Sequence, residues 1–121
     1  MPDDVLRVRN LRFFAYHGVF PEEQTLGQFF EVDLEIHGDL AEAGQSDDPT
    51  QALNYVHLCQ LVEQAVTGRR FNLVEALAEH IAQTIGAAFP PIEVTVRVRK
   101  PHPPVQAHFD GIEVEMHRRY A

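Results

Sequence analysis

The side chains with the plainest capacity for acid-base chemistry are Lys100, Glu22, Glu23, Glu75 and Tyr55. Ile92, Val94, Val96 and Val98 alternate with Glu93, Thr95, Arg97 and Arg99, and Lys100 shares the parity of the apolar set. A lysine held against apolar surface loses hydration of its ammonium and is driven towards the range useful for proton transfer. The plainer alternative is a lysine that snorkels to solvent just past the strand end. Pro101, His102, Pro103 and Pro104 then form a stiff turn of the kind that shapes a pocket, although such turns also occur without function. Glu75 follows Asn72 by three positions, a capping-box-like spacing that by itself accounts for a carboxylate in a first helical turn. Glu22 and Glu23 fall in a loop after Tyr16, His17 and Gly18, where exposed carboxylates need no special role. Tyr55 opens a helix, where it serves as an apolar contact or as a phenol donor to a ligand.

Seven histidines raise the question of a metal. They include no His-x-His pair and no helical His-x-x-x-His, so a zinc site is not expected. The single cysteine, Cys59, lies in an apolar helical pattern and reads as a buried structural thiol. There is no glycine-rich phosphate loop, no Gly-x-Ser-x-Gly elbow and no dinucleotide fingerprint.

The elements that must position these groups follow from periodicity. Phe30, Val32, Leu34 and Ile36 alternate with Glu31, Asp33, Glu35 and His37, which predicts a half-buried strand over 30–37. Two more strands follow from the alternation at 92–99 and at 112–117, and a less regular one from the β-branched and aromatic content of 5–14. Asn54 is a plausible N-cap for a helix running to Gly68, with Val56, Cys59 and Val62 together with Leu58, Leu61, Ala65 and Val66 supplying the helical spacing of apolar residues. Leu73, Leu77, Ile81 and Ile85 recur every four residues in a second helix. The order is therefore β-β-α-α-β-β, an α+β fold with antiparallel strands covered by helices on one face. The stretch 38–51 is the longest connection, either part of a site or mobile.

A chain of 121 residues reads as one domain, 1–121, and at this length folding buries roughly two-thirds of the unfolded surface. Eighteen acidic residues against ten Lys plus Arg, a formal charge of -8, argue against nucleic acid and against anionic membranes as partners. No run approaches the ~18 apolar residues of a membrane span, and the expected compartment is the cytoplasm.

The segments Arg12-Phe13-Phe14-Ala15-Tyr16-His17-Gly18, Leu26-Gly27-Gln28, Phe71-Asn72-Leu73-Val74-Glu75-Ala76-Leu77-Ala78-Glu79 and Val98-Arg99-Lys100-Pro101 together resemble the dihydroneopterin aldolase family. The likeness runs from Leu6 to about Arg118. It implies a tunnelling fold, in which antiparallel sheets with two helices on one face join into a barrel in a homotetramer or homo-octamer. It also implies a retro-aldol cleavage of a pterin side chain with no metal or covalent cofactor. On this likeness Glu75 anchors the pterin ring beside Leu73 and Val74. Lys100, Tyr55 and Glu23 are the catalytic group, with Glu23 rather than Glu22 as the loop glutamate. Where the family usually has Asp-Thr-x-Asp-Tyr this chain has Gln51, Ala52, Leu53, Asn54 and Tyr55, and the Ala52-Leu53-Asn54-Tyr55 piece resembles the sister dihydroneopterin triphosphate epimerases, so any contact from Ala52 and Leu53 would come from their backbone.

Overall fold

The computed structural model describes residues 3–121. Four strands, β1 (Asp4–Ala15), β2 (Gln28–Gly38), β3 (Ile92–Lys100) and β4 (Ile112–Tyr120), form one antiparallel sheet in sequence order. Between β1 and β2 lies a short helix, α1 (Pro21–Leu26). Between β2 and β3 come α2 (Ala41–Ser46), a 3-10 turn (Pro49–Gln51), α3 (Tyr55–Thr67) and α4 (Val74–Ala88). The expected α+β order holds. Sequence periodicity passed over α1 and α2, whose six residues each are too few to display an amphipathic repeat.

Phe30, Val32, Leu34 and Ile36 of β2 and Ile92, Val94, Val96 and Val98 of β3 all lie in the core. There they meet Leu58, Val62 and Val66 of α3 and Leu77, Ile81 and Ile85 of α4. The alternation of the two central strands therefore sends one face to the helices, and burial of these branched side chains is the main driving force for the fold. Val56 and Cys59 do not belong to that core. Val56 is exposed and Cys59 only half-buried, which corrects the reading of Cys59 as a buried thiol.

The opposite face is an ion-pair lattice. Arg97 meets Glu35 at 2.7 Å and Glu115 at 2.6 Å, while Arg99 meets Asp33, Glu31 and Glu113. Individually such pairs contribute little, but each spans neighbouring strands and matches one register. A bulge between Val8 and Leu11 puts Asn10 at φ 58°, and Asp33 accepts its backbone N–H at 2.6 Å. The outer strands β1 and β4 each keep one unpaired edge.

Candidate active site

β3 carries Lys100 to the end of the core face that its parity demands, with the residue buried. Its ammonium does not snorkel. It donates to Glu23 Oε2 at 2.6 Å, and Glu23 is itself buried. Of the two neighbouring glutamates, Glu23 is the one turned inward to Lys100, while Glu22 is exposed.

Local sequence explains why a carboxylate is folded inward here. Pro21 opens α1 and Gly27, at φ 71°, ends it, so the helix is shorter than two turns. Glu23 Oε1 accepts the Phe20 backbone N–H at 3.3 Å, which curls the side chain back over its own helix start. Oε2 accepts Gln28 Nε2 at 2.8 Å in addition to Lys100. Gly18, at φ 149°, lies against the carboxyl so closely that a Cβ there would collide with it. Only glycine leaves room for this close approach. Burial pushes the Glu23 carboxyl up, but the bonds from Lys100, Gln28 and the Phe20 N–H outweigh it and hold the group below its ordinary range.

Gln28 is the residue that periodicity alone could have singled out. It has the parity of Phe30 and Val32, so a polar side chain enters the core face at the first residue of β2.

His17 serves as scaffold. It is almost fully buried, the Phe71 backbone N–H donates to its Nδ1 at 2.9 Å, and its Nε2–H donates to the Val66 carbonyl at 2.7 Å. Both ring nitrogens are thus used, and burial holds its pKa below the ordinary value. The Gly18 N–H donates to the Phe71 carbonyl at 3.0 Å. Together these bonds tie the end of α3 and the start of α4 to the loop that carries Glu23.

At that start the structure corrects the expected cap. Leu73, not Asn72, is the N-cap of α4, and it supplies no side-chain bond to the helix. The Asn72 side chain instead accepts from Arg70 at 2.7 Å. Glu75 consequently lies in an uncapped first turn, exposed, with no hydrogen-bond partner among the described residues. A free carboxylate beside free backbone N–H groups offers an acceptor and donors to one planar edge of a ligand. Val74 points into the core, so only its backbone is available there, whereas the Leu73 side chain is half exposed.

Tyr55 lies elsewhere. Asn54 caps α3 as expected, accepting from Val56 and His57 at 3.1 and 3.2 Å, and Tyr55 follows with an exposed ring. The thirteen residues of α3 span ~20 Å, and its far end is the one bonded to His17. Leu53 lines a cleft of about 220 Å³ with His37, Phe89 and Ile92, at the opposite end of β3 from Lys100. Ala52 closes the 3-10 turn, its N–H donating to Pro49.

The cavity beside the buried pair has a volume of about 100 Å³ and is lined by Glu22, Glu23, Gln28, His102 and Pro104, among others. It is smaller than the roughly 300 Å³ at which small-molecule sites begin. A larger cleft, about 290 Å³ between Tyr16 and Arg69, contains none of the candidate groups. Among the described residues of one chain, the cavity at Lys100 and Glu23 is therefore small for an enclosing pocket. No group of three or more His, Cys, Asp or Glu side chains among the described residues is arranged to hold a metal, and no helix among them is long and apolar enough to cross a membrane.

Comparison with known proteins converges. The dihydroneopterin aldolase family model matches residues 6–117. The dihydroneopterin aldolase of Methylorubrum extorquens is 47% identical over 98% of this chain and 91% of its own length. That of Bacillus subtilis is 44% identical over 96% of this chain and 98% of its own. A crystal structure of the E. coli dihydroneopterin aldolase in complex with neopterin superposes with a TM-score of 0.85 at 31% identity, covering 95% of this chain and 98% of that one.

Proposed function

The chain belongs to the dihydroneopterin aldolase family, and from that premise we propose that it splits 7,8-dihydroneopterin into 6-hydroxymethyl-7,8-dihydropterin and glycolaldehyde, a step of folate biosynthesis in the cytoplasm. The observation that carries this reading is the buried Lys100–Glu23 pair, tied through Gly18 and Phe71 to the segment that leads into the uncapped start of α4. A retro-aldol needs a base for the side-chain hydroxyl and a sink for the electron pair of the breaking carbon-carbon bond. The C=N bond of the dihydropterin is that sink. No Schiff base or metal is required. Lys100 and Tyr55 handle the proton taken from the hydroxyl and the proton returned to carbon, and Glu23 orients the ammonium and the triol. Glu75 accepts the amino and ring N–H groups of the pterin in a paired, charge-assisted contact, and the backbone at Leu73 and Val74 borders the same edge.

Re-addition of glycolaldehyde to the other face of the same intermediate gives epimerase side activity. A dedicated triphosphate epimerase is not favoured, because Glu22 and Glu23 line the cavity next to Lys100 and a triphosphate would face two carboxylates there. Incubating the protein with the free alcohol and, separately, with the triphosphate tests the reading. Glycolaldehyde released from the alcohol supports it, and turnover of the triphosphate alone refutes it.

The working site is shared between subunits of a homotetramer or homo-octamer. Tyr55 and Leu53 lie at the end of the fold remote from Lys100, too far to serve one ligand within one chain. A second copy supplies them, together with the backbone of Ala52. The free edges of β1 and β4 and the exposed rings of Phe14, Tyr16 and Phe29 are the surfaces expected of a sheet closed into a barrel by further copies.

A further inference from the structure

Gln28 has a bonding pattern that strand formation does not require. Its Nε2 donates to Glu23 Oε2 at 2.8 Å, on the same oxygen that Lys100 reaches at 2.6 Å. Its own Oε1 is buried with no donor within reach among the described residues. Turning the amide over would set that oxygen against the Glu23 carboxylate, two acceptors with no proton between them. The amide is therefore held in one orientation by the carboxylate, and a buried acceptor is left without its bond, a state that costs stability. A residue kept only for packing would be replaced at no loss by an apolar side chain.

We propose that Gln28 is a positioning residue for the reaction, fixing the Glu23 carboxylate in the acceptor-only form that holds and orients the Lys100 ammonium. The proposal rests on the proton-transfer role given to that pair. The arrangement divides the work between the two carboxylate oxygens. Oε1 is held by the Phe20 N–H of the same turn, and Oε2 takes its direction from Gln28 at the start of β2 and its charge partner from the end of β3. Three segments thus meet on one carboxylate, and among the described residues Gln28 is the only neutral side chain that donates to it. The other charged and titratable groups around it are Glu22 on the same helix, His102 across the cavity and buried His17, which precedes the Gly18 packed against the carboxyl. Arg70 reaches the neighbouring Gly18 carbonyl at 3.0 Å. Without the amide, a protonated Glu23 would offer Lys100 a hydroxyl in place of a negative oxygen, and the ammonium would lose its orientation.

The test is Gln28→Met, which keeps the length of the side chain and removes both the donor and the orphaned acceptor. Protein labelled with carboxyl-13C glutamate, with the Glu23 resonance assigned by its loss in Glu23→Gln, is titrated in the wild type and the variant. The expected result is a Glu23 midpoint raised by about one pH unit in Gln28→Met. The acid limb of turnover rises with it. An unmoved midpoint, or a lowered melting temperature with an unmoved acid limb, overturns the proposal while leaving Lys100 and Glu23 as the reacting pair. A raised midpoint with an unmoved acid limb also overturns it, and in addition removes Glu23 from the reaction itself.

Discussion

The ammonium of Lys100 and the carboxylate of Glu23 meet at 2.6 Å although 77 positions separate them in sequence, and both are buried. The carboxylate replaces the hydration that the ammonium loses at the core face. A buried pair of this kind is a poor device for stability, since desolvation offsets most of its Coulomb gain. On the proposed mechanism its value is that it would set a charged proton carrier in one direction at the rim of the sheet.

Lys100→Ala is expected to lower turnover by roughly two to four powers of ten, the usual weight of a positioned acid-base group. Because Glu23 then stays buried without its counter-charge, Lys100→Gln serves as the companion variant that keeps a donor. Pterin affinity, measured by calorimetry, should hold in both. Undiminished turnover in either would show that Lys100 takes no part in the proton transfers.

Glu75→Ala should weaken pterin binding by about 2 to 4 kcal/mol through loss of a charge-assisted pair of hydrogen bonds. Because Glu75 makes no capping bond, the melting temperature should scarcely move. Unchanged affinity together with a lowered melting point would restore the helix-capping role.

Acid should destabilise the fold in two stages. His17 binds its proton less readily in the folded chain than at its ordinary 6.5, so its contribution is complete above that value and is lost as pH falls through its lowered folded pKa. Glu23, also lowered from its ordinary 4.5, adds a contribution complete above that value and lost below it. Melting temperatures taken from about pH 8 down to about pH 3 should fall first below the histidine value and again below the carboxylate value. A flat profile between about pH 7 and about pH 5 would contradict the burial argument for His17.

Activity should survive dialysis against a strong chelator, because the substrate carries its own electron sink. Loss of turnover on dialysis, restored by zinc, would contradict the mechanism.

How much of this was legible beforehand depended on the length of the repeat that carried it. The strict alternation of β2 and β3 disclosed the core face and the parity of Lys100, since a period of two is unambiguous over eight residues. The same parity marks Gln28, but a single polar residue at a strand's first position looks like a strand not yet begun. Glu23 was readable only through family resemblance, because α1 is shorter than two turns and its inward carboxylate depends on Gly18 and Phe20 rather than on any pattern. The cap of α4 was misread by one residue. Asn72 has the right chemistry for a cap, yet Arg70 takes its side chain, a competition invisible to local spacing. His17 stood in a suggestive motif, and its partners at Val66 and Phe71 lie about fifty positions on. The separation of Tyr55 from Lys100 follows from the direction of α3 across the sheet, which sequence alone does not give.

The central claim is that Lys100 and Glu23 of one subunit act with Tyr55 of another. It is tested by preparing Tyr55→Phe and Lys100→Ala proteins, each inactive alone, and mixing them under conditions that let subunits exchange. The account predicts that cleavage activity reappears on mixing, because some boundaries then carry an intact Tyr55 and an intact Lys100. Mixed assemblies that exchange fully and stay inactive, or a wild-type monomer that is fully active in sedimentation, would contradict it.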